Sequence, residues 1–164
     1  MIVEGSNPMA RSSSTMQVTR AADYGIRVMI HMATLPAHER ALLPALARAT
    51  GAPQSFLSKV LQALCHAGFI ASRRGQAGGF EILPTGRKAS IRSVIEAIEG
   101  PISLNLCLIS GASCKRKSFC PMHPVWASAQ DAMLGVLNSA TVAELALQAV
   151  APQLRTLRAR SKSA

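Results

Sequence analysis

The chain has 164 residues, a length that suits one domain, or one domain with an appended helical arm. Its 49% hydrophobic content excludes a wholly disordered protein, while only 4% aromatic residues leave Leu, Ile, Val, Ala and Met to form the core, a composition that favours helices. Eighteen Lys and Arg against eight Asp and Glu give a net charge of +10, which attracts polyanions, most commonly nucleic acid.

The first segment, residues 1–15, is rich in Ser, Gly, Pro and Asn, and it carries no sustained apolar run after a basic start. It therefore resembles neither a signal peptide nor a transmembrane segment, and we expect a cytoplasmic protein that does not associate with membranes. Residues 1–15 are predicted to be a disordered extension, or to precede the true start codon, because patterned sequence begins only at a second methionine, Met16.

Two helices are predicted at the start of the patterned sequence. Apolar residues recur at helical spacing over 21–35, which indicates a first helix. Asp23 lies at its beginning, where a carboxylate stabilises the helix dipole and can act as a cap. A second, short helix is predicted over 44–50, because Pro44 suits a first turn and Gly51 follows the last turn.

A third helix, ending near Gly68, follows the turn at 51–53. Two short helices joined by such a turn are typical of a helix-turn-helix, in which the start of the second helix faces the bases of DNA. Lys59 is expected to contact phosphate more than bases. The side chains predicted at this DNA-binding surface are Ser55, Phe56, Ser58 and Lys59.

A basic hairpin is predicted directly after the third helix. Residues 69–83 indicate two short strands around a glycine-rich turn that carries Arg73, Arg74 and Gly75. In this position the hairpin forms a wing, and its arginines are expected to contact phosphate or the minor groove. A further helix, capped by Ser90, completes a predicted DNA-binding domain over 16–100.

The segment 101–124 has no usable periodicity and is predicted to be a loop shaped by what it binds. It contains Cys107, Cys114, Cys120 and His123, and three cysteines cannot all pair as disulfides. Thiolates with one imidazole suit an iron–sulfur cluster or zinc, and not calcium or magnesium. The spacing is looser than the Cys-x-x-Cys pairs usual in structural zinc sites and favours a cluster, with zinc as the alternative.

The residues 125–151 are predicted to form helices that mediate dimerisation, because a long helix outside a compact winged domain needs a partner for its apolar stripe. Thr141 and Glu144 form a predicted capping box for the second of these helices. The tail, 152–164, is basic and predicted to be flexible. The predicted dimerisation stripe consists of Trp126, Ala129, Met133, Val136 and Leu137.

Other classes of function are less well supported. No catalytic motif is present, so we do not expect an enzyme. An RNA-binding zinc protein would suit the charge and the cysteines, but the chain lacks exposed aromatic residues for stacking bases. An electron carrier is also less well supported, because electron transfer does not require a helix-turn-helix or a wing. Cys65 lies on the apolar face of the third helix, so packing explains it without a functional role.

Several stretches together resemble a known family. These are MQVTRAADYGIRVMIHMA, LSKVLQALCHAGFI, SRRGQAGGF, the three loop cysteines, and CPMHPVW followed by LNSATVAEL. They resemble the IscR/NsrR-type winged-helix transcription regulators, the Rrf-two family, over about 16–150. The resemblance implies a mostly α fold: a winged helix-turn-helix with a small β-hairpin wing and a long C-terminal dimerisation helix. It also implies a homodimer on double-stranded promoter DNA, controlled by an iron–sulfur cluster that senses cluster status, iron, redox state or nitric oxide.

The resemblance leaves the fourth ligand and the cluster type open. In IscR-like members a histidine at the position of His123 ligates a 2Fe-2S cluster, whereas NsrR-like members use an aspartate matching Asp23 from the partner chain, and 4Fe-4S remains the alternative. We favour His123 and 2Fe-2S. The wing usually reads RGPGGG, but here Gln76 and Ala77 replace its central Pro and Gly, and Ser58 replaces a glutamate of some IscR-like members, so a different operator is expected.

Overall fold

The computed structural model describes residues 18–75, 78–109 and 114–161. Within these ranges the chain forms seven α-helices, one short 3-10 helix and a two-stranded antiparallel sheet. The predicted mostly α fold, with a helix-turn-helix, a hairpin wing and a long helix after it, is confirmed. The predicted N-terminal extension, residues 1–15, lies outside the described residues.

The elements follow the predicted order with two additions. In the described ranges they are α1 (Arg20–Thr34), α2 (Leu43–Thr50), α3 (Gln54–His66), β1 (Ile70–Arg73), β2 (Gly79–Ile82), α4 (Pro84–Lys88), α5 (Ile91–Glu99), the 3-10 helix (Leu106–Leu108), α6 (Met122–Ser139) and α7 (Val142–Ser161). Neither α4 nor the 3-10 helix was predicted from the sequence. None of the helices in these ranges is long and apolar enough to cross a membrane.

Two boundaries differ from the sequence prediction. Helix α6 begins at Met122 and not near 125, because Pro124 falls in its first turn, where a missing backbone N–H costs nothing. Helix α7 continues to Ser161, through most of the segment 152–164 that was predicted to be a flexible tail. The Leu, Gln, Arg and Ala residues of this segment have high helix propensity, and this favours continuation of the helix.

Helix α1 lies at the centre of the fold and contacts α2, α3, α5 and α7. The turn between α2 and α3 needs Gly51, whose φ of 69° is left-handed and whose N–H closes the end of α2 on Ala47 O. Helix α3 turns its apolar face inward and leaves its polar face exposed, as its sequence pattern predicts. The largest fully buried side chains are Val28, Met29, Met32, Leu46, Leu57, Leu61, Leu64, Ile70, Val94 and Val142.

The cap of α1 is a correction to the sequence analysis. Thr19, and not Asp23, is the N-cap, and its Oγ1 accepts a hydrogen bond from the Ala22 N–H at 3.2 Å. The Thr19 hydroxyl also donates to the carboxylate of Glu99 on α5. Asp23 lies in the first turn, where its carboxylate forms an ion pair with Arg27 at 2.9 Å. Asp23 therefore stabilises the start of the helix from within the turn.

The wing is held against the loop that precedes α2. Ala41 and Phe80 exchange two backbone hydrogen bonds of 2.9 Å beside the β1–β2 pair. Gly79 has a φ of 128°, and a Cβ at this position would lie 2.9 Å from Ala41 O, so only glycine fits there. The Glu81 carboxylate on β2 accepts from His38 Nδ1 at 2.9 Å. These contacts fix the direction in which the wing leaves the domain.

The connection between the end of α6 and the start of α7 is attached to the winged domain. Thr141 and Glu144 form the predicted capping box: the Thr141 N–H donates to Glu144 Oε2 at 3.0 Å, and the Glu144 N–H donates to Thr141 Oγ1 at 3.3 Å. Hydrogen bonds from Thr141 lower the pKa of the Glu144 carboxyl. The backbone of Ile91 bonds to Ala140, and that of Val142 bonds to Ala89, so the helix connection is attached to the start of α5.

The close packing of Gly86 in α4 leads to a prediction about stability. Gly86 is buried, and a Cβ there would collide with Phe69 O and lie 2.9 Å from the Phe69 carbonyl carbon. Backbone atoms cannot move aside, so Gly86→Ala is expected to reduce the free energy of unfolding by about 2 kcal/mol in urea titrations. Gly135→Ala in α6 is the control, because nothing lies within 4 Å of that site. Equal stability of the two variants would contradict this account of the packing.

Candidate nucleic-acid interface and metal centre

The first turns of α3 present the side chains that were predicted to face DNA. Ser55, Phe56 and Lys59 are exposed, and Ser58 is half-buried with its hydroxyl donating to Ser55 O at 2.9 Å. Phe56 also has a structural contact, because its ring packs edge-on against Tyr24 of α1 with centroids 5.7 Å apart. Ser55 and Lys59 are therefore accessible at the surface, and Phe56 helps to hold α3 to α1.

The wing carries its two arginines at the tip. Arg73, Arg74 and Gly75 are all exposed, and Gly75 has a φ of 103° in a turn that the Gly78 N–H closes on Gly75 O at 2.9 Å. Gln76 and Ala77, where this wing departs from the usual motif, lie outside the described residues. Two cations on a narrow projecting hairpin can approach phosphates or enter a minor groove.

A groove of about 550 Å³ separates the wing from α3 and α2. Arg73 and Arg74 line it on one side, and Gln62 and His66 of α3 line it on the other. Cys65 also lines this groove, and burial raises the pKa of its thiol, opposed in part by a hydrogen bond with Ser72. A protonated, half-buried thiol suits the packing role predicted for Cys65.

The predicted ligands lie on two structural units that are packed together. Cys107 is buried in the 3-10 helix, which packs against α6, and the backbone N–H of Leu104 donates to Gln130 Oε1 of α6 at 3.1 Å. Cys120 and His123 lie one turn apart at the start of α6, where the His123 N–H donates to Cys120 O at 3.1 Å. Cys114 is exposed on the loop between these units.

One atom at this site stands out. His123 Nδ1 is buried and has no hydrogen-bond partner, and it is the only such side-chain nitrogen or oxygen among the residues that the structure describes. A buried polar atom without a partner costs free energy, and an imidazole nitrogen is a common metal ligand. Three thiols and this nitrogen suit a soft metal centre chemically.

The single chain does not bring the predicted ligands together. Across 18–75, 78–109 and 114–161, no group of three or more His, Cys, Asp or Glu side chains is close enough to hold a metal ion. Asp23 remains paired with Arg27 at the start of α1. Cys107 is buried in the 3-10 helix, whereas Cys114 is exposed.

The predicted dimerisation stripe on α6 divides into two faces. Met133 and Leu137 are half-buried and line a cavity of about 460 Å³ shared with α1 and α5, and Trp126 is also half-buried. Ala129 and Val136 are exposed, with Val136 at 70% exposure. Val125 and Ala132 are exposed as well, so the sequence analysis missed half of the outer face. The exposed residues recur at 125, 129, 132 and 136, the spacing of a helix-packing seam.

Comparison with known proteins decides the family. The model of the Rrf2 family, described as an iron-dependent transcriptional regulator, matches residues 18–148. The chain belongs to the Rrf2 family. The family is one of transcriptional regulators and not of enzymes, as predicted from the sequence.

Individual relatives are similar over most of their length. The Mycobacterium tuberculosis protein MT1325, named as an HTH-type transcriptional regulator, is 29% identical over 131 residues, which cover 80% of this chain and 81% of that protein. The oxidised form of CymR from Staphylococcus aureus is 26% identical with a TM-score of 0.63, covering 80% of this chain and 96% of CymR. IscR from T. potens has a TM-score of 0.66 at 22% identity, covering 84% and 91%, and supports the fold.

Proposed function

We propose that this Rrf2-family transcriptional regulator binds promoter DNA as a homodimer, and that an iron–sulfur cluster held by Cys107, Cys114 and Cys120 controls the binding. The observation that carries the proposal is His123 Nδ1, buried without a partner one turn from Cys120. The imidazole and the Cys120 thiol at the helix start, with Cys107 of the 3-10 helix and Cys114 of the loop, would supply four ligands suited to a cluster once they are drawn together.

The DNA-binding role rests on α3 and the wing. Members of the Rrf2 family bind DNA, and this chain presents Lys59, Arg73 and Arg74 as exposed cations on the two elements that enter grooves in winged-helix proteins. We propose that the wing arginines contact phosphate or the minor groove, and that Ser55 and Ser58 lie nearest the base edges.

The homodimer is supported by the outer face of α6. Val125 is 53% exposed and Val136 is 70% exposed, and the two alanines between them give a smooth surface that a second α6 can approach closely. Burying this face in a two-fold dimer would remove apolar surface from water and would place two recognition helices at spaced half-sites.

Control of DNA binding would follow from the path of the chain. The segment that carries Cys107 connects α5 of the winged domain to α6, and the Leu104–Gln130 hydrogen bond attaches it to α6. When bound, the cluster supplies iron–thiolate bonds that order this segment, and these bonds are lost on iron loss, oxidation or nitrosylation. Ordering the segment would set the orientation of the winged domain relative to α6, and hence the spacing of the half-sites.

The fourth ligand is tested by two substitutions. If His123 completes the set, His123→Ala will change the visible absorption spectrum and lower iron retention about tenfold, whereas Asp23→Ala will leave both unchanged. Asp23→Ala is a suitable control because its ion pair with Arg27 is on the surface and contributes little to stability. The opposite pattern would assign the role to Asp23 of the partner subunit.

The function as a whole is tested by footprinting on the promoter of the chain's own gene region. Cluster-loaded and cluster-free protein are expected to differ at least tenfold in affinity, and the footprint is expected to be palindromic. Nitric oxide should bring the affinity of the cluster-loaded protein close to that of the cluster-free protein. Equal affinity of all three preparations would contradict cluster control, and equal, specific binding by protein that holds no metal when purified would indicate a metal-free regulator of the same fold.

Zinc is the second candidate for the same residues. Three thiolates and one imidazole close a tetrahedral structural zinc site, so the donor set alone accepts either metal. Bound zinc would hold the loop in one conformation permanently, so DNA binding would have to be controlled by another signal. Metal analysis distinguishes the two candidates, because zinc protein is colourless and holds one metal ion per chain and no sulfide.

A further inference from the structure

The loop between Cys114 and Cys120 contains a run of three cations, Lys115, Arg116 and Lys117. Two backbone hydrogen bonds shape it, from the Lys117 N–H to Cys114 O at 3.1 Å and from the Phe119 N–H to Arg116 O at 3.2 Å. All three cationic side chains are exposed. We call residues 114–119 the basic turn.

The charge of the basic turn is not balanced locally. From 100 to 130 the sequence contains no Asp or Glu, so the three cations are the whole fixed charge of this stretch. None of the ion pairs found among the described residues includes Lys115, Arg116 or Lys117. The basic turn therefore presents a positive field directly at the predicted ligands, and this field is available to a partner.

An exposed apolar side chain accompanies the cations. Phe119 lies within the basic turn and is 71% exposed. Phosphates of DNA offer charge but no apolar surface, whereas an acidic protein surface with an apolar centre would satisfy both kinds of side chain. The combination favours a protein partner over nucleic acid.

We propose that the basic turn, with Phe119, is the docking surface for an acidic protein that delivers the iron–sulfur cluster. This inference rests on the proposed function, since it names the partner of the same site. Delivery is a ligand exchange. Iron–thiolate bonds to the donor break as bonds to Cys107, Cys114 and Cys120 form, and the iron oxidation states do not change. The protons of the accepting thiols pass to the departing donor thiolates, and any further proton comes from water.

The test uses the full-length chain without its cluster and a purified acidic donor, a glutaredoxin that holds a glutathione-ligated 2Fe-2S cluster. Transfer is followed by circular dichroism in the visible range, and docking of the cluster-free donor is followed by fluorescence anisotropy. Lys115→Glu/Arg116→Glu/Lys117→Glu is expected to slow transfer at least tenfold at low salt and to weaken docking similarly, with both effects shrinking as salt rises.

The control variant, Arg20→Glu/Arg48→Glu/Lys88→Glu, changes the net charge equally at three exposed positions outside the loop and is expected to transfer at the normal rate. Equal slowing by both variants, or less than a twofold effect of the first, would overturn the proposal. So would unchanged transfer with weaker binding to nonspecific duplex DNA, which would assign the basic turn to phosphate contacts.

Failure of the proposed function gives a different result. Chemical reconstitution with iron and sulfide needs no donor protein, so the triple charge variant is expected to acquire a cluster with the normal spectrum by that route. If the unsubstituted chain cannot be reconstituted chemically, the cluster site itself is wrong. If the chain can be reconstituted but the triple charge variant receives the cluster from the donor at the normal rate, only the proposed docking surface is wrong.

Discussion

Cys107→Ala/Cys114→Ala/Cys120→Ala protein is expected to be colourless and to retain less than about a tenth of the iron of the unsubstituted chain when both are purified without oxygen. Removing three thiolates leaves at most one protein ligand, which cannot hold a cluster. The affinity of the variant for its promoter should equal that of cluster-free protein and should not respond to nitric oxide.

The fold should survive this change. Cys114 is exposed and Cys120 is half-buried, so only Cys107 leaves a small cavity, at a cost of about 1 kcal/mol. Far-ultraviolet circular dichroism checks this point. Cys65→Ala is the matched control, because Cys65 lines the groove by the wing and not the proposed cluster site. Iron content that falls equally in the control, or that persists in the triple variant, would contradict the ligand assignment.

Arg74→Glu is expected to weaken operator binding about 100-fold, or ~2.7 kcal/mol, because it replaces a wing contact with repulsion from phosphate. The residue is exposed at the tip of the hairpin and next to Gly75, so no packing is lost. Fluorescence anisotropy with a labelled operator, at several salt concentrations, measures both the affinity and the salt slope.

Lys88→Glu is the control for the wing prediction. Lys88 is exposed at the end of α4, and the substitution makes the same change in net charge. It is expected to reduce the affinity for the operator less than about fivefold, because it changes only the overall electrostatic field of the protein. If Arg74→Glu has no larger effect than Lys88→Glu, the wing does not contact DNA.

Periodicity and capping signals were enough to predict α1, α2, α3, the wing and the capping box at Thr141 and Glu144. These are local features, and the structure follows them within one or two residues. Helix α4 was missed because five residues are too few for a periodic pattern, although Pro84 was a usable start signal. Its position depends on Gly86 packing against Phe69, a contact that only the tertiary structure reveals.

The candidate site was predictable in its residue types and not in its geometry. The spacing of the cysteines indicated a soft metal centre, but only packing shows that His123 Nδ1 is buried without a partner. The apolar stripe of α6 was predicted as one face, yet Met133 and Leu137 turn toward α1 and α5 while Val136 is exposed. Periodicity detects apolar positions on a helix, but the neighbouring elements decide which of them are buried within the chain.

The most direct test of the account is the absorption spectrum of the protein purified without oxygen and before any reconstitution, together with its iron, sulfide and zinc content. The account predicts bands between roughly 320 and 460 nm, with iron and acid-labile sulfide in equal amounts. Colourless protein with one zinc ion per chain, or with no metal, would contradict the central claim that a cluster controls this regulator.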